Sequence, residues 1–347
     1  MEKTVISIKG TSLKFKEISV DDTLLDSGLS SNISLPYGCK SGACGSCASK
    51  LLVGSVKTKA GDIVTNNNTI LLCQSYPASN KIILSYSDDK LALIQKQSIK
   101  EKSITSKDYL LQVVANKSVT PMIKELSFYV PPKLNFQFLP GAHMLIYDDS
   151  NTFCKKYSII NTTEETNSLK KNILKFLITK NTNKGLSDFI HNRVKIGDIL
   201  KLEGPFSSFQ YKIEQDKPIL AIAGGSGISP ILSIVKNVLF KNKTSNILIF
   251  LSVRDRNEVL EMDTFNILKE KYKNFSYKVT LSREEPKQGS HFLFGRTNVS
   301  LQKVFKDLST HQIIISGSDG FVETTYDHVI KLKANKKNIY YEKFSNN

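Results

Sequence analysis

The chain has little arginine: of its 48 basic residues, only Arg193, Arg254, Arg256, Arg283 and Arg296 carry a guanidinium. A net charge of +16 raises nucleic-acid binding as a function class. The lysines are scattered, however, and no dense basic stripe with interleaved aromatics occurs. The charge therefore reads as a solvated surface, and no nucleic-acid partner is expected. The bias is uneven: residues 1–90 hold 10 Lys, no Arg and 8 acidic residues, a net of +2, which leaves +14 on the rest. The C-terminal two-thirds should accordingly draw phosphate-bearing cofactors and acidic partners. No run of about 20 apolar residues exists, which excludes a membrane-spanning helix. The opening MEKTVISIKG lacks the apolar core of a secretory signal, so the expectation is a cytoplasmic protein without a membrane partner. Cysteine is scarce too, at five residues. In such a compartment a cluster of thiols reads as metal ligands before disulfides.

What is present divides by pattern into three domains. An apolar fraction of 40% over 347 residues allows each a core. Residues 1–87 begin with alternating strand signals at 5–8 and 13–15 and close with one at 82–86. Residues 88–108 are polar and Lys-rich and read as a linker. Residues 109–213 carry short strand signals at 111–114, 126–130 and 174–178 with turn residues between them, a spacing that suits a small antiparallel β-barrel. Residues 214–347 alternate strands (219–223, 247–253, 276–281, 312–316) with helices (230–241, 259–272, 300–307, 321–334). That alternation predicts a parallel sheet covered by helices, an α/β nucleotide-binding domain. The fold class is thus multidomain, α+β followed by α/β.

The densest chemistry is Cys39-x4-Cys44-x2-Cys47 with Cys73 after 25 further residues, the plant-type [2Fe–2S] spacing. Two irons bridged by two sulfides need four thiolates, and a short loop can wrap one side while a distant segment supplies the fourth. The anionic cluster needs backbone N–H groups aimed at sulfur, and Gly38, Gly42 and Gly45 let the backbone approach. A structural zinc site or buried free thiols are the alternatives, but zinc sites more often pair two Cys-x2-Cys knuckles. No His accompanies the cysteines, which excludes a Rieske centre. Cys154 lies outside the set and reads as a barrel residue. The stretch Leu35–Cys47 (LPYGCKSGACGSC) resembles the cluster loop of plant-type ferredoxin domains fused to flavin reductases, which implies a β-grasp ferredoxin domain.

The remainder resembles the ferredoxin-NADP-reductase family. Lys155-Lys156-Tyr157-Ser158 falls where that family has Arg-x-Tyr-Ser. The resemblance implies FAD, with Tyr157 against the isoalloxazine, Ser158 near flavin N5 and Lys155 on the phosphates. Lys155 departs from the pattern: an ammonium neutralises phosphate but cannot form the bidentate fork of a guanidinium. Gly185-Leu186-Ser187 resembles the turn that meets the flavin pyrophosphate, while Pro140-Gly141 and Gly204-Pro205-Phe206 match barrel landmarks. Gly224-Gly225-Ser226-Gly227-Ile228-Ser229-Pro230, between a strand and a helix, has the family's Gly-Gly-x-Gly-x-x-Pro form. Gly225 and Gly227 allow close approach of a pyrophosphate, and Pro230 suits a first helical turn. By the same resemblance Arg254 reaches the nucleotide's ribose or adenine. Nearby Asp255, Arg256 and Glu258 leave NADH and NADPH both open, with a lean to NADH. Ser316-Gly317-Ser318-Asp319 stands where most relatives have Cys-Gly-Pro-Pro beside the nicotinamide. In the terminal Tyr340–Phe344, Phe344 is expected either to cover the flavin or to pack as part of a last strand.

The resemblance implies an NAD(P)H-dependent electron-transfer reductase. Hydride delivers two electrons at once, a [2Fe–2S] cluster accepts one, and flavin divides the pair. The acceptor would be a protein. Reductases that feed a pyridoxamine-dependent dehydratase in C-3 deoxygenation of CDP-linked sugars resemble this chain in Pro131-Pro132-Lys133 and Phe138-Leu139-Pro140-Gly141. Reductase components of multicomponent oxygenases share the module order. A non-catalytic redox-sensing or docking protein is the reading from another class.

Overall fold

In a computed structural model of the chain, the described residues are 4–344 without 16, 17, 19, 32, 34, 38–41, 43, 44, 46, 89, 92, 93, 95–106, 169–171, 182–184, 208, 210, 242, 243 and 287. The chain divides near residue 106 into two compact units.

The first unit holds β1 (Val5–Ile8), α1 (Leu24–Ser30), β2 (Ala48–Val53), β3 (Val56–Thr58), β4 (Ile63–Val64), β5 (Thr69–Leu71), β6 (Ser75–Pro77) and β7 (Lys81–Ser85). One sheet runs β1-β7-β2-β5, with β1 parallel to β7 and β2 antiparallel to β7 and β5; a smaller sheet runs β4-β3-β6. The VISI alternation of β1 works as its period of two dictates: Ile6 and Ile8 are buried while Val5 is exposed. Thr23 caps α1, its Oγ1 accepting from the Asp26 N–H at 3.1 Å. Leu24 and Leu25 turn inward, and α1 packs beside the turn that carries Cys73. The strand expected at 13–15 is reduced to one bridge, Lys14 to Ser7. Gly10 at φ +77° and the Thr11 hydroxyl, donating to Ile8 O at 3.0 Å, turn the chain before a ladder can form. Beyond Ser85, the described residues Asp88, Lys90, Leu91 and Ile94 are helical, and Ile94 is buried.

The second unit opens with β8 (Lys107–Thr120), β9 (Ile123–Tyr129), β10 (His143–Tyr147), β11 (Cys154–Ser158), α2 (Thr163–Thr166), β12 (Ile173–Thr179), α3 (Leu186–Asn192) and β13 (Ile199–Phe206). The strands form an antiparallel sheet in the order β11-β10-β13-β8-β9-β12. A bridge from Ile159 to Phe176 joins its two edges and closes the barrel. The interior is filled by alternate residues such as Val113, Phe128, Met144 and Phe176. Phe128 and Phe176 meet edge to face at 5.9 Å. Burying each of these large side chains stabilises the barrel by roughly 2–3 kcal/mol.

The rest is a parallel sheet, β17-β16-β15-β14-β18-β19. Its elements are β14 (Ile219–Gly224), α4 (Ile228–Lys241), β15 (Ile247–Val253), α5 (Met262–Lys271), β16 (Phe275–Leu281), β17 (Leu293–Phe294), α6 (Thr297–Val304), β18 (Gln312–Ser318), α7 (Asp319–Lys331) and β19 (Ile339–Phe344). The central strands read as continuous apolar runs because both faces are covered. Ala221 and Ala223 join the core under α4 and α5, while Leu220 and Ile222 join that under α6 and α7. The chain moves outward from β14 to β15 and β16, then returns to β18 on the other side of β14. The strand order therefore reverses at the β14–β18 boundary, the place where open α/β sheets bind ligands. Ile123, Ile160 and Leu177 of the barrel enter the same core as α4, so barrel and sheet share one apolar interior.

Candidate functional site

Cys47 immediately precedes β2, and Cys73 sits in a 3-10 turn at Leu72–Gln74. The Leu72 N–H donates to Cys47 O at 3.2 Å, which holds these distant segments together. Both thiols are buried and their Sγ atoms are 3.3 Å apart. A disulfide would bring them to about 2.05 Å. Two thiolates on one tetrahedral metal at about 2.3 Å would stand about 3.8 Å apart, so the pair fits a shared iron far better than a bond. Gln74 Nε2 lies 3.7 Å from Cys73 Sγ, an amide donor toward a sulfur that becomes anionic on binding metal. A Cβ on Gly42 would lie 2.8 Å from Gln74 Cγ, so the cysteine loop presses against the residue beside Cys73. Cys39 and Cys44, with Gly38, lie outside the described residues.

In the second unit, β11 carries the expected flavin motif. Its alternation sends Lys156 and Ser158 one way and Lys155 and Tyr157 the other. Tyr157 packs against the barrel core, and burial pushes its phenol up. Lys156 Nζ is ion-paired with Glu342 Oε1 of β19, with the two side chains only 12% and 4% exposed. Ser158 Oγ donates to Glu342 Oε2 at 3.5 Å. Glu342 pairs in register with Ser316 of β18, so both project from the same face of the sheet. Ser316 is fully buried, and its hydroxyl has no hydrogen-bond partner among the described residues. Phe344, at the end of β19, pairs with Ser318 and is partly buried.

The glycine loop leaves β14 beside these groups. Gly225 has φ +53°, a left-handed turn that glycine adopts without penalty. A Cβ on Gly227 would stand 2.3 Å from Ser316 O, so glycine there lets the loop and β18 touch backbone to backbone. Pro230 is buried in the first turn of α4, where its missing N–H costs nothing. The Ser229 hydroxyl is buried and, among the described residues, unpartnered. Thr179 Oγ1, at the end of β12, meets Ser226 Oγ at 2.7 Å and pins the loop to the barrel. Gly227→Ala is therefore expected to destabilise the fold by about 1–3 kcal/mol, the cost of overpacking, and to weaken binding of a nucleotide at this loop. Denaturant unfolding and nucleotide titration of the same variant check both.

Three expected residues, Gly185, Ser187 and Arg254, lie on other elements. Gly185 precedes α3, and Ser187 is buried with its hydroxyl accepting from Asn181 N at 3.2 Å. Arg254, just past β15, is bound to Glu258, whose hydrogen bonds push the guanidinium up. The pair Lys156–Glu342 was not among the expected site residues. Glu342 was visible as the acid of the terminal YYEKF, but nothing in the sequence indicates a partner 186 positions away. Lys156 stands at the x of the Arg-x-Tyr-Ser pattern, a position to which the resemblance gives no role.

Comparison with known proteins agrees with this layout. Residues 6–78 match a 2Fe-2S iron-sulfur cluster binding domain, 110–211 an oxidoreductase FAD-binding domain and 221–327 an oxidoreductase NAD-binding domain. The chain is 23% identical over 335 residues to the phenol hydroxylase P5 protein of Acinetobacter pittii, covering 94% of this chain and 91% of that one. It is 26% identical to a terephthalate 1,2-dioxygenase reductase component of a Comamonas species, covering 87% and 86%. It is 29% identical to the CDP-6-deoxy-L-threo-D-glycero-4-hexulose-3-dehydrase reductase of Yersinia pseudotuberculosis, covering 66% and 65%. An Amycolatopsis cytochrome P450 reductase has the same fold, with a TM-score of 0.79 over 99% of both chains at 17% identity. Among the described residues, no helix is long and apolar enough to cross a membrane. Cluster domain, closed barrel and switch-point glycine loop, in this order and with these relatives, identify the chain as a ferredoxin-NADP-reductase-like FAD- and NAD-binding oxidoreductase with a [2Fe–2S] ferredoxin domain.

Proposed function

We infer that this NAD(P)H-dependent reductase oxidises its nucleotide at the seam between β11 and the carboxyl edge of the parallel sheet, and delivers single electrons to a dehydrase acting on a CDP-linked deoxyhexulose. The observation that carries the first part is the buried contact of Ser158, Lys156 and Glu342 beside Ser316 and Gly227. Bound FAD supplies a ring that takes two electrons with hydride and releases them one at a time, and the cluster accepts them singly. Hydride is two electrons and one proton, so when the electrons leave alone the proton must be taken by a base. Glu342 is an acid–base group within hydrogen-bond reach of the Ser158 hydroxyl. Lys156 holds that carboxylate in place and balances its charge. Ser316 and Ser229 offer free hydroxyls to an incoming amide, and Gly225 leaves room for a pyrophosphate while Gly227 lets the loop sit against β18. In the first unit, Cys47 and Cys73 supply two thiolates to the cluster, with Cys39 and Cys44 the other two by their spacing.

The dehydrase acceptor is favoured by the 29% identity to the Yersinia reductase and by the Pro131–Lys133 and Phe138–Gly141 segments. An oxygenase acceptor is the second reading, favoured by the end-to-end match to the phenol hydroxylase and terephthalate dioxygenase reductases. Anaerobic titration with NADH tests the reductase. Flavin bleaching followed by cluster reduction is expected, and zinc in place of iron at the thiols would overturn the account. Reconstitution with each acceptor class then decides the partner: reduction of an oxygenase component and not of a dehydrase reverses the preference.

A further inference from the structure

Arg254 and Arg256 follow β15, and Glu284 follows the neighbouring β16. The two strands run side by side to Val253 and Leu281. Backbone bonds from Ser282 N to Val253 O at 2.9 Å and Arg283 N to Arg254 O at 2.8 Å carry the pairing past the sheet. The two loops therefore share one rim. The guanidiniums of Arg254 and Arg256 are each closed on a carboxylate of the chain, while the neighbouring Arg283 is exposed. Arg254 donates from Nε to Glu258 Oε2 at 2.8 Å and from Nη2 to Glu258 Oε1. Arg256 donates from Nη2 to Glu284 Oε2 at 2.8 Å and from Nε to both Glu284 oxygens at 3.2 Å, and its backbone N–H reaches Oε1 at 2.7 Å. The carboxylates are the inner members, with side chains 14% and 17% exposed against 42% and 46% for the arginines.

In an open parallel sheet the pyrophosphate lies at the first glycine loop, and the adenosine ribose lies beyond the second strand. Here the second strand is β15, so the ribose 2′ position falls at this rim. NADPH carries a phosphate there of about −1.5 to −2 charge; NADH carries a hydroxyl. Recognition of a 2′-phosphate uses an open guanidinium fork; the exposed Arg283 stands next to Glu284 in the chain, so a phosphate approaching it meets that carboxylate as well. Opening either fork would leave Glu258 or Glu284 facing the phosphate with its ion pair broken, and like charges brought together strongly disfavour the ligand. A hydroxyl asks only for one acceptor, and a carboxylate is the acceptor the NADH-specific arrangement uses. We propose that Glu258 and Glu284 are specificity-determining residues that make this reductase select NADH over NADPH. The proposal rests on the reading of the chain as a nicotinamide-dependent reductase.

The test uses the holoprotein and Glu258→Gln, Glu284→Gln and the double variant, since glutamine keeps the volume and a hydrogen bond to arginine but removes the charge. One readout is kcat/KM for NADPH relative to NADH with ferricyanide as acceptor. The other is calorimetric binding of 2′,5′-ADP relative to 5′-AMP, which involves no flavin chemistry. The wild type is expected to favour NADH by at least about tenfold, and the double variant to raise the NADPH/NADH ratio by about tenfold, each single by about threefold. The 2′,5′-ADP/5′-AMP binding ratio should rise in parallel. Equal use of the two nucleotides by the wild type, or variants whose ratios do not move, would overturn the proposal. Failure of both nucleotides to reduce the wild-type flavin overturns the reductase reading instead, and the binding ratios alone then decide the role of the two glutamates.

Discussion

Cys73→Ser is expected to abolish one-electron transfer while leaving flavin reduction in place. NADH-dependent reduction of cytochrome c or of the protein acceptor should fall by roughly 100-fold or more, because a thiolate bonded to iron matters more than the groups hydrogen-bonded to such ligands, whose loss already costs about 10- to 100-fold. NADH-dependent ferricyanide reduction, drawn from the flavin, should stay within about threefold on the same scale of effects. The division follows from the architecture. Cys73 belongs to the first compact unit, whereas the barrel and the parallel sheet share a core of their own in the second. A serine oxygen at position 73 is a hard and weakly acidic donor in place of a soft thiolate, and Cys47, 3.3 Å away, would be left as a lone ligand on that side. Iron and sulfide content, measured beside the two activities, shows whether the loss is of cluster or of fold. Cys154→Ser is the control: Cys154 lies on β11 next to Tyr147 in register, in the other unit, and its loss should move neither activity.

How far such outcomes could be foreseen from sequence depends on how local the constraint is. The cysteine spacing, the glycine loop and the β/α alternation were legible because each is imposed within a short window, by ligand count, by the room a phosphate needs, or by a strand buried on both faces. The long β8 shows a strand signal only at 111–114. It pairs with β13 through one half and β9 through the other, with register shifts between Val113 and Ala115 and between Ser118 and Thr120. Each bulge breaks the alternation by which a strand is recognised. Helix α5 was expected to begin at 259, since Val259 and Leu260 extend an apolar pattern. In the structure they follow the turn at Arg256–Glu258, and Leu260 enters the core from a loop. The arginine–glutamate pairs of the nucleotide rim were visible only as a mixture of signs. Which acid holds which guanidinium depends on β15 and β16 lying side by side, a fact of topology and not of spacing.

Lys156→Met carries the other large expectation, and it exposes why the seam is built from a pair of charges. The substitution keeps most of the unbranched stem, one atom shorter, and removes its charge, leaving Glu342 buried without its counter-ion. Breaking a buried ion pair from one side costs about 3–5 kcal/mol. The lower end applies here, because Lys156 is 12% exposed and the Ser158 hydroxyl remains 3.5 Å from the carboxylate. Glu342→Gln alone should cost less, about 1–2 kcal/mol, since an unpaired lysine can turn its ammonium toward water while a carboxylate on a short stem in β19 cannot. If the two act as one unit, Lys156→Met combined with Glu342→Gln is less destabilised than the sum of the singles, with a coupling of about 1–3 kcal/mol in a denaturant-unfolding cycle. Stability alone would make an apolar pair the better solution, so the charge should have a chemical use. The proton left behind when electrons depart singly supplies one. Glu342→Gln is then expected to slow NADH-driven reduction of the one-electron acceptor by roughly 100-fold, while anaerobic flavin reduction by NADH in stopped flow changes far less, because hydride arrives with its own proton. Equal slowing of both steps would mean that Glu342 shapes the flavin site without moving a proton, and the lysine would then be there to hold β19 against β11.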